Sequence, residues 1–173
     1  MPRAEAHRRG IKIIGTRWID VNKGDNQSPV YRSRLVAKEF NTGQGGGLEE
    51  GELFAATPPL EAVRLLLSEA ATYGSGEQYC DKVVMVNDVA RAFFEAPMRR
   101  VVAVELPPEE HGEDDAVGLL NMSLYGTRDA AANFQREVQS FMAAAGFERS
   151  SYSPIVFFHR DKQLKTLVHG DVF

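Results

Sequence analysis

The sequence predicts an α+β fold in which helices pack on one face of an antiparallel sheet. Three observations carry this. Two stretches rich in β-branched and aromatic residues flank turn-forming clusters, and two others repeat apolar residues every three or four positions. The order along the 173 residues is two strands, helix, two strands, helix, two strands.

The elements follow in that order. IKIIGTRWIDV (11–21) and VYRSRLVAKEF (30–40) enclose NKGDNQSP, whose Asn, Gly, Asp and Pro favour chain reversal, so they form a hairpin. NTGQGGGLEEGE (41–52) is Gly-rich but lacks the Gly-Lys-Ser/Thr ending of a phosphate-binding loop, and reads as a flexible connector. Thr57, followed by Pro58 and Pro59, marks a helix start with Thr as the cap, and Leu60, Val63, Leu67 and Ala70 define one face of that helix. KVVMVNDVARAFF (82–94) opens as a nearly continuous apolar run, the pattern of a strand buried on both faces. VVAVELP (101–107) is the next strand. It leads into PEEHGEDDA, an acidic loop without the Asp/Asn alternation and Gly of an EF-hand. Between Arg128 and Ala145 the residues Phe134, Val138, Phe141 and Ala145 mark a second long helix, with Gly146 as its C-terminal cap. PIVFFHR (154–160) and LKTLVHGD (164–171), joined by Asp-Lys-Gln, form the last hairpin. No internal repeat interrupts the order.

A hydrophobic content of 43% over this length allows a real core in one domain, or one incomplete domain. The longest apolar runs fall far short of the roughly 20 residues that span a bilayer. The start, MPRAEAHRRG, is charged with no apolar run behind it. The expectation is an intracellular protein, cytoplasmic or nuclear, neither secreted nor in a membrane. Cys80 is the single cysteine, which excludes an intramolecular disulfide, and His7, His111, His159 and His169 are too scattered for a zinc site. Any metal should be held by oxygen. Residues 1–40 carry nine Lys or Arg against four Asp or Glu, while the remainder carries eleven against twenty. Such polarity fits a chain that grips phosphates with one part and cations with another, although surface variation accounts for it equally.

Two carboxylates invite a chemical reading. Asp88 closes the apolar run VVMVND, and Asp171 lies in LVHGDVF. A carboxylate in an apolar strand is costly unless it has a donor, a cation or a metal. On neighbouring strands the two would converge and suit Mg²⁺, which keeps its waters and accepts substrate phosphates as further ligands. On spacing alone, turn or capping roles remain open for both.

The ordered blocks GTRWIDVNKGD, YRSRLVAKEF, VNDVARAFFEAPM, VVAVELPPE, LLNMSLYGTRDAAANFQ and SPIVFFHRDKQLKTLVHGD resemble the reverse transcriptase domain of copia-type retrotransposons, over about Lys12 to Phe173. The resemblance implies a polymerase palm carrying finger strands. The chain then divides into a basic N-terminal tail (1–10), a fingers-like hairpin with the Gly-rich loop (11–57) and a palm-like region (58–173). It also implies that Asp88 and Asp171 are catalytic, metal-binding residues of the first and second metal motifs. The cofactor would be Mg²⁺, with Mn²⁺ as the alternative. Two ions roughly 3.5–4 Å apart would stabilise attacking and leaving oxygens in nucleotidyl transfer.

Phe93, five residues after Asp88, matches the aromatic gate beneath the nucleotide sugar; core packing is the alternative. Arg32 and Arg34 share one strand face and, with Lys23 at the hairpin tip, suit triphosphate contact. Lys38 reads as a solvated lysine. Ser123, Tyr125 and Gly126 match the template- and primer-proximal motif, and Arg128 its nucleotide-binding end. The implied partners are an RNA or DNA template-primer, deoxynucleoside triphosphates and the remainder of a retrotransposon polyprotein, with no membrane.

The departures from the pattern are specific. Val172 follows Asp171 where the family has a second aspartate. Asp129 replaces the usual Gln, which would put a negative charge near the expected triphosphate. No residues follow the second motif, so the palm is expected to be incomplete, the thumb absent and the chain a fragment. The resulting reading is a reverse transcriptase domain fragment, an RNA-directed DNA polymerase (nucleotidyltransferase) with little or no activity as it stands. The alternative is a non-enzymatic relic that at most binds nucleic acid or protein. A third reading, an unrelated α+β binding domain, is disfavoured by the ordered blocks.

Overall fold

The computed structural model describes residues 1–40, 50–72, 82–110 and 115–170. In chain order the elements are α1 (Arg3–Arg8), β1 (Lys12–Ile14), β2 (Thr16–Asn22), β3 (Tyr31–Ala37), α2 (Glu50–Leu53), α3 (Leu60–Ala71), β4 (Val102–Glu105), β5 (Val117–Leu119), α4 (Ala130–Ala144), β6 (Glu148–Arg149), β7 (Val156–His159) and β8 (Leu164–Leu167). Helix and sheet are mixed as an α+β fold requires. They are grouped into two units, Met1–Phe54 with Phe93–Phe134, and Ala55–Ala92 with Gln135–Phe173. Among the described residues the strands form three small sheets instead of one, and β1 pairs with β4 in parallel.

In the first unit, β4 is the centre of the sheet β1-β4-β5 and is covered on both faces. Val102 and Val104 point to a cluster with Ile14, Ala37 and Leu124, whereas Ala103 points to one with Ala6, Ile11 and Val117. Ala6 comes from α1, which the sequence reading had treated as part of a tail. The charged sequence RAEAHR offers no apolar stripe, yet one fully buried alanine docks it, and Arg3 Nε donates to Asp115 at 2.8 Å. The expected first strand is two strands, because the chain turns at Gly15 from one sheet into another. A Cβ there would meet Lys38 Cε at 3.1 Å.

The hairpin β2–β3 pairs seven residues, from Thr16 opposite Ala37 to Asn22 opposite Tyr31. Its tip is held by side chains standing in for ladder groups. Asn22 Oδ1 accepts the Gly24 and Val30 amides at 3.0 and 2.9 Å, and Asp25 Oδ1 accepts those of Gln27 and Ser28 at 2.8 and 2.6 Å.

The second unit contains α3, most of α4 and the antiparallel sheet β6-β7-β8, with Val138, Met142, Ile155, Phe157 and Val168 buried. Gly146 ends α4 at φ +88°, and the Phe147 amide returns to the Met142 carbonyl at 2.9 Å. A Cβ at Gly146 would meet His159 Nε2 at 3.1 Å. At α3 the cap is Pro59, not Thr57, and no side chain bonds to it.

The expected buried strand at 82–87 is a further correction. These residues form no regular element, and Val83 is 88% exposed and Met85 73%. Apolar continuity fits a buried strand only if ladders flank it, and among the described residues β8 pairs with β7 alone. Asp88 and His169 are single bridge residues, not members of a strand. None of the helices among the described residues is long and apolar enough to cross a membrane.

Candidate functional site

The register of the hairpin builds a site on one of its faces. Ile19 lies opposite Arg34 and Val21 opposite Arg32, so period-two alternation puts two arginines and two branched residues side by side. These four, with Lys23, Val36 and Tyr125, line a groove of about 150 Å³. That is well below the roughly 300–1,000 Å³ of sites that enclose a drug-sized ligand, but it accommodates a phosphate-sized group. Among the described residues Lys23, Arg32 and Arg34 have no carboxylate partner, which leaves their charge available to an anion.

Tyr125 closes the groove. The Arg34 guanidinium carbon is 5.9 Å from its ring centroid, a cation–π contact. Phe93 lies against the same ring at 4.6 Å and 40°, and Phe94 meets it edge-on at 5.5 Å. Phe93 also contacts Phe134 at 6.2 Å, so its ring supports Tyr125 from within the unit.

The turn carrying Tyr125 is fastened to the end of β3. The Ala37 amide donates to the Tyr125 carbonyl at 2.7 Å and the Glu39 amide to that of Gly126 at 3.3 Å. Gly126 is required here, since its φ is +88° and a Cβ would overlap the Ala37 carbonyl oxygen. Ser123 is buried and accepts from Asn133 Nδ2 at 3.1 Å, a bracing position within the unit. The Arg128 amide donates to Glu39 Oε2 at 2.9 Å.

Beneath the turn is an ion cluster. Arg100 donates through Nη1 to Glu39 Oε1 at 2.9 Å, and through Nε and Nη2 to both oxygens of Asp129 at 3.0 and 2.9 Å. Lys12 Nζ adds a bond to Glu39 at 2.8 Å, and Asn133 donates to Asp129 at 3.3 Å. Burial alone pushes the Glu39 carboxyl up, but donation from Arg100, the Arg128 amide and Lys12 outweighs it and holds the group down at about 2. For Arg100, burial pulls the guanidinium pKa down, and the bonds to Asp129 and Glu39 raise it overall. Asp129, where a negative charge near the triphosphate is expected, is 2% exposed and paired with Arg100. Sequence reasoning missed Glu39, Arg100 and Asn133, because Arg100 and Glu39 are 61 residues apart and no spacing rule links them.

The structure brings together Lys23, Arg32, Arg34, Tyr125, Gly126 and Phe93 in the first unit, with Ser123 and Arg128 bracing the same turn. Asp88 belongs to the second unit and is exposed, a hard oxygen donor free to meet a hydrated ion. Asp171 and Val172 lie outside the described residues. Among the described residues no three His, Cys, Asp or Glu side chains converge on a metal position, so Asp88 alone does not make a metal site.

A backbone that joins a basic hairpin to an aromatic turn matches the order of the sequence blocks, and comparison with known proteins agrees. The chain belongs to the reverse transcriptase (RNA-dependent DNA polymerase) family, whose family model matches residues 6–171. It is 28% identical over 156 residues to the retrovirus-related Pol polyprotein from transposon TNT 1-94 of Nicotiana tabacum. The match covers 88% of this chain and 11% of that polyprotein, so the chain spans about a tenth of that relative's length. No solved structure matches the chain.

Proposed function

We propose that these residues are the fingers (11–57) and part of the palm (58–173) of an RNA-directed DNA polymerase of a copia-type retrotransposon. On this reading the hairpin groove receives the triphosphate of an incoming deoxynucleotide. Arg32, Arg34 and Lys23 neutralise its oxygens, and Phe93 supports Tyr125 beside the sugar. Arg128 belongs to the nucleotide-binding end of the turn, and Tyr125 and Gly126 lie next to the template-primer, with the buried Ser123 bracing them from within. Asp88 and Asp171 would hold Mg²⁺, which when bound polarises the α-phosphate and neutralises the charge that develops on it. The chain's own residues contribute positioning and charge, the main requirements of phosphoryl transfer.

The observation that most supports this reading is the groove itself: three cations without a carboxylate partner among the described residues and an aromatic ring, from parts of the chain about ninety residues apart, meet on one face. Replacing Arg32 and Arg34 with Ala should weaken dTTP binding by about 1.5–3 kcal/mol per lost charged hydrogen bond while leaving the fold intact. Calorimetric titration in Mg²⁺ reads the effect. Equal affinities for parent and double variant would remove the arginines from the site.

A further inference from the structure

Tyr125 and the two arginines form a groove only if the turn at 125–128 stays on the end of β3. The backbone bonds that hold it there are few: the Ala37 and Glu39 amides to the turn, and the Arg128 amide to the Glu39 carboxylate. That carboxylate is also half of the cluster under the turn. Its side chain is 1% exposed and that of Asp129 3%, so the two negative groups would repel each other in a medium of low polarity. Arg100 answers both at once, with Nη1 and Nη2 on Glu39 and Nε and Nη2 on Asp129. The planar fork is needed for this, because an ammonium cannot offer two edges in fixed directions. Asn133 extends the cluster from Asp129 to Ser123, the residue where the turn segment begins.

We propose that Arg100 is a positioning residue for nucleotide binding, clamping Glu39 at the end of β3 to Asp129 at the start of α4 and so holding Tyr125 against Arg34. Arg100 itself does not line the groove. It acts through the turn. Asp129 is then the second jaw of the clamp. A neutral amide presents one acceptor oxygen where the guanidinium edge needs two. Asp129→Gln should therefore loosen the turn.

This inference rests on the groove being the nucleotide site, and its test separates the two claims. dTTP in Mg²⁺ is titrated into the 173-residue chain, Arg34→Ala, Arg100→Gln and Arg100→Lys, and amide hydrogen exchange is followed at Ala37, Arg128 and the β2–β3 ladder. Arg100→Gln is expected to speed exchange at Arg128 and Ala37, leave the ladder amides between Ile19 and Arg34 unchanged, and weaken dTTP binding about ten- to hundredfold. Arg100→Lys keeps the charge and secures folding if the Gln variant fails. It should show the same local loosening with a smaller loss of affinity. Unchanged exchange at Arg128 in both variants would overturn the clamp. So would loosened exchange with unchanged dTTP affinity, given that Arg34→Ala weakens binding. If the parent does not bind dTTP at all, the functional reading fails, and Arg100's role in nucleotide binding fails with it.

Discussion

Primer extension by the 173-residue polypeptide on a poly(rA) template with an oligo(dT) primer is expected to give no product, or product near the limit of detection. The reason is charge at the second metal motif. On the proposed reading three aspartates would set three negative charges against two divalent ions, whereas Asp88 and Asp171 would supply two and a Val at 172 has no oxygen with which to ligate. On the proposed reading Val172→Asp alone should not restore synthesis, because these residues span about a tenth of the relative's length and nucleic-acid affinity comes mostly from phosphate contacts gathered over a large surface. Fusing the Val172→Asp chain to the C-terminal palm and thumb of a relative should restore it by orders of magnitude. Robust synthesis by the unmodified polypeptide would refute the charge argument. Silence from the fused, repaired chain would count against Asp171 as a ligand.

The second large effect concerns stability. Arg100→Met leaves two buried carboxylates, with Lys12 and the Arg128 amide left on Glu39 and the Asn133 amide left on Asp129. A loss of about 3–5 kcal/mol is expected, read from urea unfolding at pH 7. Removing all three charges together, with Arg100→Met, Glu39→Gln and Asp129→Asn, should cost less than the single change. If the triple variant is the less stable, the cluster is not governed by unpaired charge.

The same cluster sets an acid limit. Glu39 is held down from its ordinary 4.5 to about 2, so the unfolded chain binds this proton more readily than the folded one. Its contribution is complete above about pH 4.5 and is lost as the pH falls through 2. The lost amount is at most about 3 kcal/mol, and Glu39→Gln should flatten the stability profile across that window.

Several elements were legible because a local pattern decides them. The alternation in β2 and β3 put Arg32 and Arg34 on one face, the period of α4 and its Gly146 fixed a helix and its end, and the run around Val102 marked a strand. Where long-range packing decides, the pattern was silent or misleading. Arg3–Arg8 is polar enough to pass for a tail, and only the docking of Ala6 makes it a helix. Residues 82–87 are apolar enough to pass for a buried strand, yet among the described residues no ladder flanks them. At the site, the cations could be read from spacing, but the placement of Tyr125 could not. It depends on Gly126 approaching the Ala37 carbonyl and on Arg100 joining two carboxylates that lie far from it in sequence.

On the proposed reading Asp88 is a metal ligand of an RNA-directed DNA polymerase. The most direct test of this is the binding of Mn²⁺, followed by electron paramagnetic resonance, to the chain and to Asp88→Asn, each with and without saturating dTTP. The chain should bind Mn²⁺ weakly alone and more tightly with dTTP, since the triphosphate supplies further oxygen ligands. In Asp88→Asn the nucleotide-independent signal should vanish and the protein-bound Mn²⁺–dTTP signal should fall. Equal Mn²⁺ binding by both proteins under both conditions would contradict the account and place the metal elsewhere.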